Sequence, residues 1–168
     1  ENLKKNSVVG TSSYRREYQL KAKRNDLKFK LIRGNIDTRI KKLKDGLYDA
    51  IILACAGLKS LKLDDKITQF FSTSEIVPSA GQGIIALQCR NDDEETKSML
   101  KKVNHIDTYQ IAQAERSVLK ILDGDCETAV GVHATIKNSK ITLEAELFSL
   151  DGKQRFYEKK TCEVEKAD

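Results

Sequence analysis

Residues 48–55, YDAIILAC, constrain the fold more than any other stretch of the chain. A near-continuous apolar run of this length is typical of a strand that is covered on both faces, as the strands of parallel sheets are. Two further short apolar runs precede it, at residues 8–9 and 29–32. Each of these is followed by a segment with helical spacing, at residues 14–24 and 36–44. This alternation of strands and helices predicts a parallel sheet with right-handed crossovers.

The second half of the chain changes from helical spacing to strict alternation. Between the two sheets the sequence predicts a helix, a strand and two more helices, at 61–71, 84–89, 92–103 and 108–122. A hairpin turn at Asp151-Gly152 separates the last two of three predicted strands, at 130–136, 141–148 and 155–164. The expected fold is a doubly wound α/β domain with a parallel-rich sheet, followed by a small α+β domain with an antiparallel three-stranded sheet.

Composition is that of a soluble globular protein. The 168 residues are 39% hydrophobic and 33% charged, and no apolar run is long enough to span a bilayer. No signal-peptide pattern opens the chain, and its polar start without Met gives the expectation of a cut piece or a processed product. The net charge of +5 comes from lysines interspersed with acids, which argues against nucleic acid as a partner. We therefore expect neither a membrane nor a nucleic acid to be bound.

The four cysteines form no metal-binding or disulfide pattern. Cys55, Cys89, Cys126 and Cys162 stand too far apart for a zinc site or a small disulfide scaffold, so a reducing, cytoplasmic location is the simplest interpretation. Cys126 differs from the others because it lies in a short Gly- and Asp-containing loop after a helix. Its acidic neighbours disfavour the thiolate, so it is either a structural cysteine or a thiol that is modified once and kept.

Polar and cationic residues follow all three strands of the predicted parallel sheet. Because the carboxyl ends of parallel strands meet at one edge, where ligands bind, these residues are expected to form one pocket. Hydroxyl groups there can cap a helix or contact a ligand, and arginine forks suit carboxylate or phosphate. A polyanion pocket is the favoured interpretation, and a capped helix with solvated arginines is the alternative. The residues concerned are Thr11, Ser13, Arg15, Arg16, Arg33, Arg39 and Lys59.

The loop at residues 78–83, PSAGQG, contains the only proline of the chain. Glycines on both sides of Gln82 indicate a hinge or a close approach to a ligand, and a plain linker is the alternative. No histidine, cysteine or carboxylate cluster has the spacing of a metal site. The residues by themselves therefore indicate an α/β domain that binds a polycarboxylate or a phosphate.

Six motifs together resemble those of the porphobilinogen deaminase family, also called hydroxymethylbilane synthases. Each motif is weak on its own, but they occur in the family's order and spacing over essentially the whole chain. They are residues 9–16 (VGTSSYRR), 33–39 (RGNIDTR), 48–54 (YDAIILA), 56–59 (AGLK), 78–83 (PSAGQG) and 124–126 (GDC).

The resemblance implies a transferase of tetrapyrrole and heme biosynthesis that acts on porphobilinogen and the growing pyrrole chain. Such an enzyme condenses four porphobilinogen units into hydroxymethylbilane and releases ammonia, and it is expected to be a monomer at full length. The resemblance also implies a dipyrromethane cofactor joined through a thioether to Cys126. Cofactor contacts are expected from Thr11, Ser13, Arg15 and Arg16. Substrate contacts are expected from Arg33, Arg39, Lys59 and Gln82.

The sequence departs from the family pattern in several places. Ser60 stands where the family usually has an arginine, so one carboxylate clamp is missing or supplied elsewhere. The cofactor loop reads Gly124-Asp125-Cys126 rather than Gly-Gly-Cys, and Ala129 replaces a later proline. Nothing in the chain matches the family's N-terminal domain, which carries the catalytic aspartate. The polypeptide alone is therefore expected to make no hydroxymethylbilane.

The implied domain division follows from the same resemblance. Residues 1–83 would be the second domain of the family, residues 84–104 a segment that returns to the first domain, and residues 105–168 the third domain. Gln82 would lie at the hinge between domains.

A non-enzymatic binding module is the competing interpretation. Periplasmic-type receptors and regulator effector domains share the periplasmic-binding-protein-like, doubly wound architecture and bind small anions at strand ends. Such a module would not need Cys126, so a dipyrromethane adduct on this thiol distinguishes the two functions.

Overall fold

A computed structural model describes residues 2–122 and 129–166 of the chain. The described residues fall into two compact units, and each unit is discontinuous in sequence. The first unit contains residues 2–76, 129–130 and 147–156. The second unit contains residues 77–122, 131–146 and 157–166.

A three-stranded parallel sheet forms the centre of the first unit. Its strands are β1 (Val8–Gly10), β2 (Lys28–Lys30) and β3 (Ala50–Ile51), in the order β2-β1-β3. Val9 lies opposite Phe29 on one side and Ala50 on the other, and it is only 1% exposed. The parallel sheet predicted from the alternation of strands and helices is therefore confirmed, with the first strand in the middle.

Two amphipathic helices connect these strands. Helix α1 (Tyr14–Lys23) turns Gln19 and Leu20 inward, and α2 (Ile36–Lys44) begins at an asparagine cap and ends in a run of lysines. Acidic first turns and basic last turns complement the helix dipole in both. The bounds of α2 agree with the helix predicted at 36–44, because a cap and a glycine mark its two ends.

The third strand is much shorter than the run at 48–55 predicts. Backbone pairing with β1 extends only from Asp49 N, which donates to Val8 O, to Ile52 N, which donates to Gly10 O. Since β1 has three residues, no further ladder is available. The chain then enters helix α3 (Cys55–Ser60), which packs so closely that a Cβ on Gly57 would lie 2.8 Å from Ile36 Cδ1.

The helix predicted at 61–71 is wrong. Lys62 has a φ of +56°, a left-handed conformation that ends the preceding helix, and only a 3₁₀ turn follows at Asp64–Lys66. The strand predicted at 84–89 is also wrong, because these residues have no regular structure. Ile85 is 86% exposed and Leu87 60% exposed, so the apolar run has neither the backbone pairing nor the cover that would make it a buried strand.

Helices α4 (Glu94–Val103) and α5 (Ile106–Ile121) belong to the second unit. They are followed by the three strands β4 (Val130–Lys137), β5 (Lys140–Phe148) and β6 (Arg155–Glu163), which pair in sequence order. A two-residue turn of Asn138 and Ser139, both with positive φ, joins the first pair of strands as an antiparallel hairpin. The three predicted C-terminal strands are confirmed to within one residue at each end.

The turn between β5 and β6 packs on helix α1 within the first unit. The Tyr18 hydroxyl donates to Leu150 O over 2.9 Å, and the Tyr18 and Phe148 ring centroids lie 5.9 Å apart. A Cβ on Gly152, where φ is +69°, would lie 2.8 Å from the Tyr18 ring. Residues from opposite ends of the chain therefore share one small core.

None of the helices between residues 2 and 122 or between 129 and 166 has both the length and the apolar character needed to cross a membrane.

Candidate anion-binding site

The end of β1 builds the first part of the site from backbone and hydroxyl groups. Thr11 is buried, and its Oγ1 accepts a hydrogen bond from Ser13 N over 3.1 Å. Ser13 is the N-cap of α1, and its Oγ accepts from Arg16 N over 3.4 Å. Both hydroxyls therefore shape the turn from strand to helix, as the capping interpretation predicts.

Arg16 connects this turn with the end of β3. Its Nη1 donates to Ile52 O over 3.2 Å, one residue beyond the strand. Burial lowers the pKa of Arg16 from its ordinary value, the neighbouring Arg39 guanidinium lowers it further, and Cys55 opposes both effects. Because a guanidinium stays protonated in proteins, this direction means that positive charge is concentrated here at an energetic cost.

Arg39 connects α2 with the end of β1. Its Nε donates to Gly34 O over 2.7 Å, and its Nη1 lies 3.5 Å from Ser12 Oγ. Gly34 has a φ of +117°, and a Cβ there would lie 2.7 Å from Thr38 Cγ2, so this tight turn requires glycine. Arg16 and Arg39 thus lie at the carboxyl edge of the sheet and interact electrostatically with each other.

The other cations predicted for the pocket are placed differently. Arg15 is only 6% exposed and lies on the inward face of α1 beside Gln19. Arg33 is exposed, and its backbone carbonyl accepts from Lys42 Nζ over 2.9 Å. Lys59 is exposed at the end of α3, where its ammonium lies 5.8 Å from the centre of the Phe70 ring. The structure therefore brings Arg16 and Arg39 together, and these two residues are called the arginine cluster below. Arg15 lies in the interior.

The remaining two predicted residues are Gln82 and Cys126. Gln82 belongs to the second unit, where it is exposed and its Oε1 accepts from Ser79 Oγ over 3.1 Å. Cys126 lies outside the described residues. Within the part of the chain that the structure does describe, no group of three or more His, Cys, Asp and Glu side chains could hold a metal ion.

Three contributors to the site were not predicted from the sequence. Ser12 and the Ile52 carbonyl hold the two arginines, and Phe70 lies under Lys59. A backbone carbonyl carries no residue signal, so the Ile52 contact could not have been predicted. Ser12 lies between Thr11 and Ser13, which the sequence did predict as site residues, and this position could have indicated its role.

Comparison with known proteins identifies the family. Residues 1–98 match the family model described as the porphobilinogen deaminase dipyrromethane cofactor binding domain, and residues 109–168 match the porphobilinogen deaminase C-terminal domain. The chain belongs to the porphobilinogen deaminase family. The resemblance read from the six motifs is confirmed, and the cofactor-binding domain is the one that contains the arginine cluster.

Individual family members are similar over nearly the whole chain. The porphobilinogen deaminase of Coxiella burnetii is 46% identical over 151 residues, which are 90% of this chain and 49% of that protein. The porphobilinogen deaminase of Brevibacillus brevis is 45% identical over 157 residues, which are 93% of this chain and 51% of that protein. The chain spans about half the length of the curated relatives that it matches.

Proposed function

We propose that this chain is part of a hydroxymethylbilane synthase, which condenses four porphobilinogen molecules into hydroxymethylbilane and releases one ammonia per porphobilinogen. The observation that carries the proposal is the match of both halves of the chain to porphobilinogen deaminase domains. Family membership favours this function over a non-enzymatic anion-binding module.

The arginine cluster supports binding of a polycarboxylate. Dipyrromethane and the growing pyrrole chain carry an acetate and a propionate on every ring, and guanidinium groups pair with carboxylates through parallel N–H donors. Arg16 and Arg39 are held in place by Ile52 O and Gly34 O, so their orientation is set before a ligand arrives. Preorganisation of this kind lowers the entropic cost of binding.

We assign the predicted residues to two roles within this proposal. The cofactor, attached through a thioether at Cys126, would be contacted by Thr11, Ser13, Arg15 and Arg16. Its pyrrole chemistry primes the polymer, and the residues of this chain bind and orient its carboxylates. Incoming substrate carboxylates would be contacted by Arg33, Arg39, Lys59 and Gln82.

We also propose a domain organisation, a location and an oligomeric state for the protein. The α/β domain is of the doubly wound, periplasmic-binding-protein-like type, and the division is 1–83, 84–104 and 105–168. The whole protein acts in the cytoplasm as a monomer, without a nucleic acid or membrane partner. We expect the 168-residue polypeptide by itself to make no hydroxymethylbilane, because it spans only about half the length of the relatives that it matches.

The test measures porphobilinogen consumption and ammonia release by protein expressed from the complete reading frame. We expect one ammonia per porphobilinogen consumed, and no turnover by the 168-residue polypeptide. Absence of turnover by the complete protein would overturn the proposed activity. Turnover by the isolated polypeptide would show that its own residues suffice for catalysis.

The cofactor assignment is tested by intact mass spectrometry of the same complete protein. We expect an added mass equal to a dipyrromethane, which is lost in Cys126→Ser. The matched control is Cys162→Ser, which removes an exposed cysteine on β6 and should keep the adduct. An unmodified thiol in active protein would contradict the covalent cofactor.

A further inference from the structure

One of the buried carboxylates of the second unit, that of Glu115, accepts hydrogen bonds from backbone donors of two other segments. Glu115 lies in α5 and is only 3% exposed. Its Oε2 accepts from Gly81 N over 2.6 Å, and its Oε1 accepts from Ala134 N over 2.8 Å. The same Oε1 is 3.6 Å from His133 Nδ1.

Such a group is tolerated in a protein interior only when hydrogen bonds replace its lost hydration. Both oxygens of Glu115 have a backbone N–H donor, and hydrogen bonds to an ionised acceptor are the strong ones. The side chain therefore joins three segments that are distant in sequence, namely the loop at 78–83, helix α5 and strand β4.

The loop that Glu115 holds is a compact pair of turns. Gln82 N donates to Ser79 O and Ile84 N donates to Gly81 O, each over 3.0 Å. Gly81 and Gly83 have φ values of +72° and +90°, and an added Cβ at either would meet nothing within 4 Å. The loop thus has an open side, and its attachment on the other side is the hydrogen bond from Gly81 N to Glu115.

A second contact fixes the start of the same loop. Val132 N of β4 donates to Pro78 O over 2.7 Å. Val132 is two residues before Ala134, whose amide donates to Glu115. Strand β4 therefore holds the loop at Pro78, and the Glu115 carboxylate holds it at Gly81. Gln82 follows Gly81 directly, so the conformation of Gly81 sets where Gln82 is placed.

We propose that Glu115 is a positioning residue, which holds Gly81 and thereby presents Gln82 to a carboxylate-bearing pyrrole substrate. The part of this inference that concerns the substrate rests on the proposed function. The part that concerns the loop does not, because it follows from the hydrogen bond that Gly81 N donates to Glu115 Oε2. The experiments below separate these two parts.

The loop is tested by NMR on protein expressed from the complete reading frame. We expect a measurable scalar coupling across the hydrogen bond between Gly81 N and the Glu115 side-chain carbonyl carbon, which needs no variant. In Glu115→Gln we expect exchange of the Gly81 amide to accelerate about tenfold or more, because one charge-assisted acceptor is lost. Glu95→Gln, which neutralises an exposed acid on α4, is the matched control.

Two results would overturn the attachment of the loop. One is absence of the coupling in the unaltered chain, and the other is Gly81 exchange in Glu115→Gln within a factor of about two of the Glu95→Gln control. The coupling measurement decides the matter even where Glu115→Gln does not fold.

The substrate role is tested with protein expressed from the complete reading frame. We expect Glu115→Gln to raise the KM for porphobilinogen roughly threefold or more with little change in kcat, because binding contacts are displaced. The same substitution should have no further effect on KM in a Gln82→Ala background. A lower kcat at constant KM, or additive effects of the two changes, would overturn the positioning role. Failure of the unaltered complete protein to consume porphobilinogen would instead overturn the proposed function and leave the loop attachment standing.

Discussion

The arginine cluster of the first unit and the buried Glu115 of the second are opposite solutions to placing charge in a protein. In the first, Arg16 and Arg39 are turned toward backbone carbonyls at a sheet edge. In the second, one carboxylate is enclosed and receives backbone N–H groups from two segments. The two arginines are partly exposed, whereas the Glu115 carboxylate is enclosed and links three segments of the chain by hydrogen bonds.

We expect the two arrangements to contribute in different ways, the arginines to binding and the carboxylate to the fold. A partly exposed guanidinium with fixed orientation serves recognition, and its removal affects binding more than folding. A buried carboxylate with satisfied oxygens serves the fold, and its removal leaves two backbone donors without an acceptor. The following predictions test how far this contrast holds.

The largest effect is expected on binding, from Arg16→Gln. In the complete protein, kcat/KM for porphobilinogen should fall roughly 10- to 100-fold, the range for one lost charge-assisted pair. In Arg16→Lys, kcat/KM should fall less, because lysine keeps the positive charge but lacks the two parallel N–H donors of the guanidinium. Lys41→Gln, which neutralises an exposed cation on α2, serves as the control and should change kcat/KM little. Equal losses in Arg16→Gln and Lys41→Gln would mean that general positive charge suffices.

The next effect is expected on stability, from Glu115→Gln. Urea unfolding of the 168-residue chain should show a loss of about 2 kcal/mol, because one buried N–H group then faces an amide NH₂ instead of a carboxylate oxygen. Arg16→Gln should cost less than about 1 kcal/mol in the same assay, because it also removes a partly buried charge and its repulsion from Arg39. The contrast between the two regions is lost if the two variants are equally destabilised.

A pH effect should distinguish the helix caps of the two units. Hydrogen bonds from the Thr96 backbone N–H and hydroxyl hold the pKa of Asp93 below its ordinary value. Its contribution to the cap of α4 is therefore fully present above the ordinary Asp pKa and is lost as the pH falls through the lowered one. Helix α1 is capped by the neutral Ser13 hydroxyl and has no such dependence.

Amide exchange at Thr96 and Arg16 measures this difference. Below the ordinary Asp range, protection of Thr96 should decline relative to that of Arg16. Asp93→Asn, which keeps a neutral cap acceptor, should remove the relative decline. Parallel acid profiles for both amides in the unaltered chain would contradict the assignment.

The smallest effect is expected for Tyr18→Phe. This change removes the exposed hydrogen bond to Leu150 O and keeps the ring contacts with Phe148 and Gly152. Unfolding in urea should show a loss of about 0.5–1 kcal/mol. Tyr109→Phe is the control, since the exposed Tyr109 hydroxyl accepts a hydrogen bond only four residues away, from Gln113 of the same helix. A loss above that of Glu115→Gln would reverse the ranking proposed for the two units.

The sequence could predict the parallel sheet and α2 because local patterns and tertiary structure agree there. Val9 is apolar and central, and Asn35 is both a good cap in sequence and the cap in the structure. The predictions failed where an apolar segment is not buried by other parts of the protein. Residues 84–89 are as apolar as a strand, yet Ile85 and Leu87 face solvent, and no local pattern reveals this.

The candidate site was predicted in part for the same reason. Adjacent arginines after a strand end indicated a cationic edge of the sheet, and Arg16 does lie there. Whether Arg15 or Arg16 faces inward depends on the rotation of α1 about its axis. Glu115 was missed because glutamate is common on helices. A signal existed, since Glu115 lies four residues from both Ile111 and Leu119 on the apolar stripe of α5.

The discontinuity of the first unit has a consequence for how the chain folds during synthesis. Its parallel sheet is complete by residue 51, but the core around Tyr18 needs Phe148 and Leu150, which a ribosome adds about a hundred residues later. Contacts of such long sequence separation form late, because the intervening chain must be ordered first. The first unit is therefore completed only after residues 148–150 have been added, although its sheet strands are made much earlier.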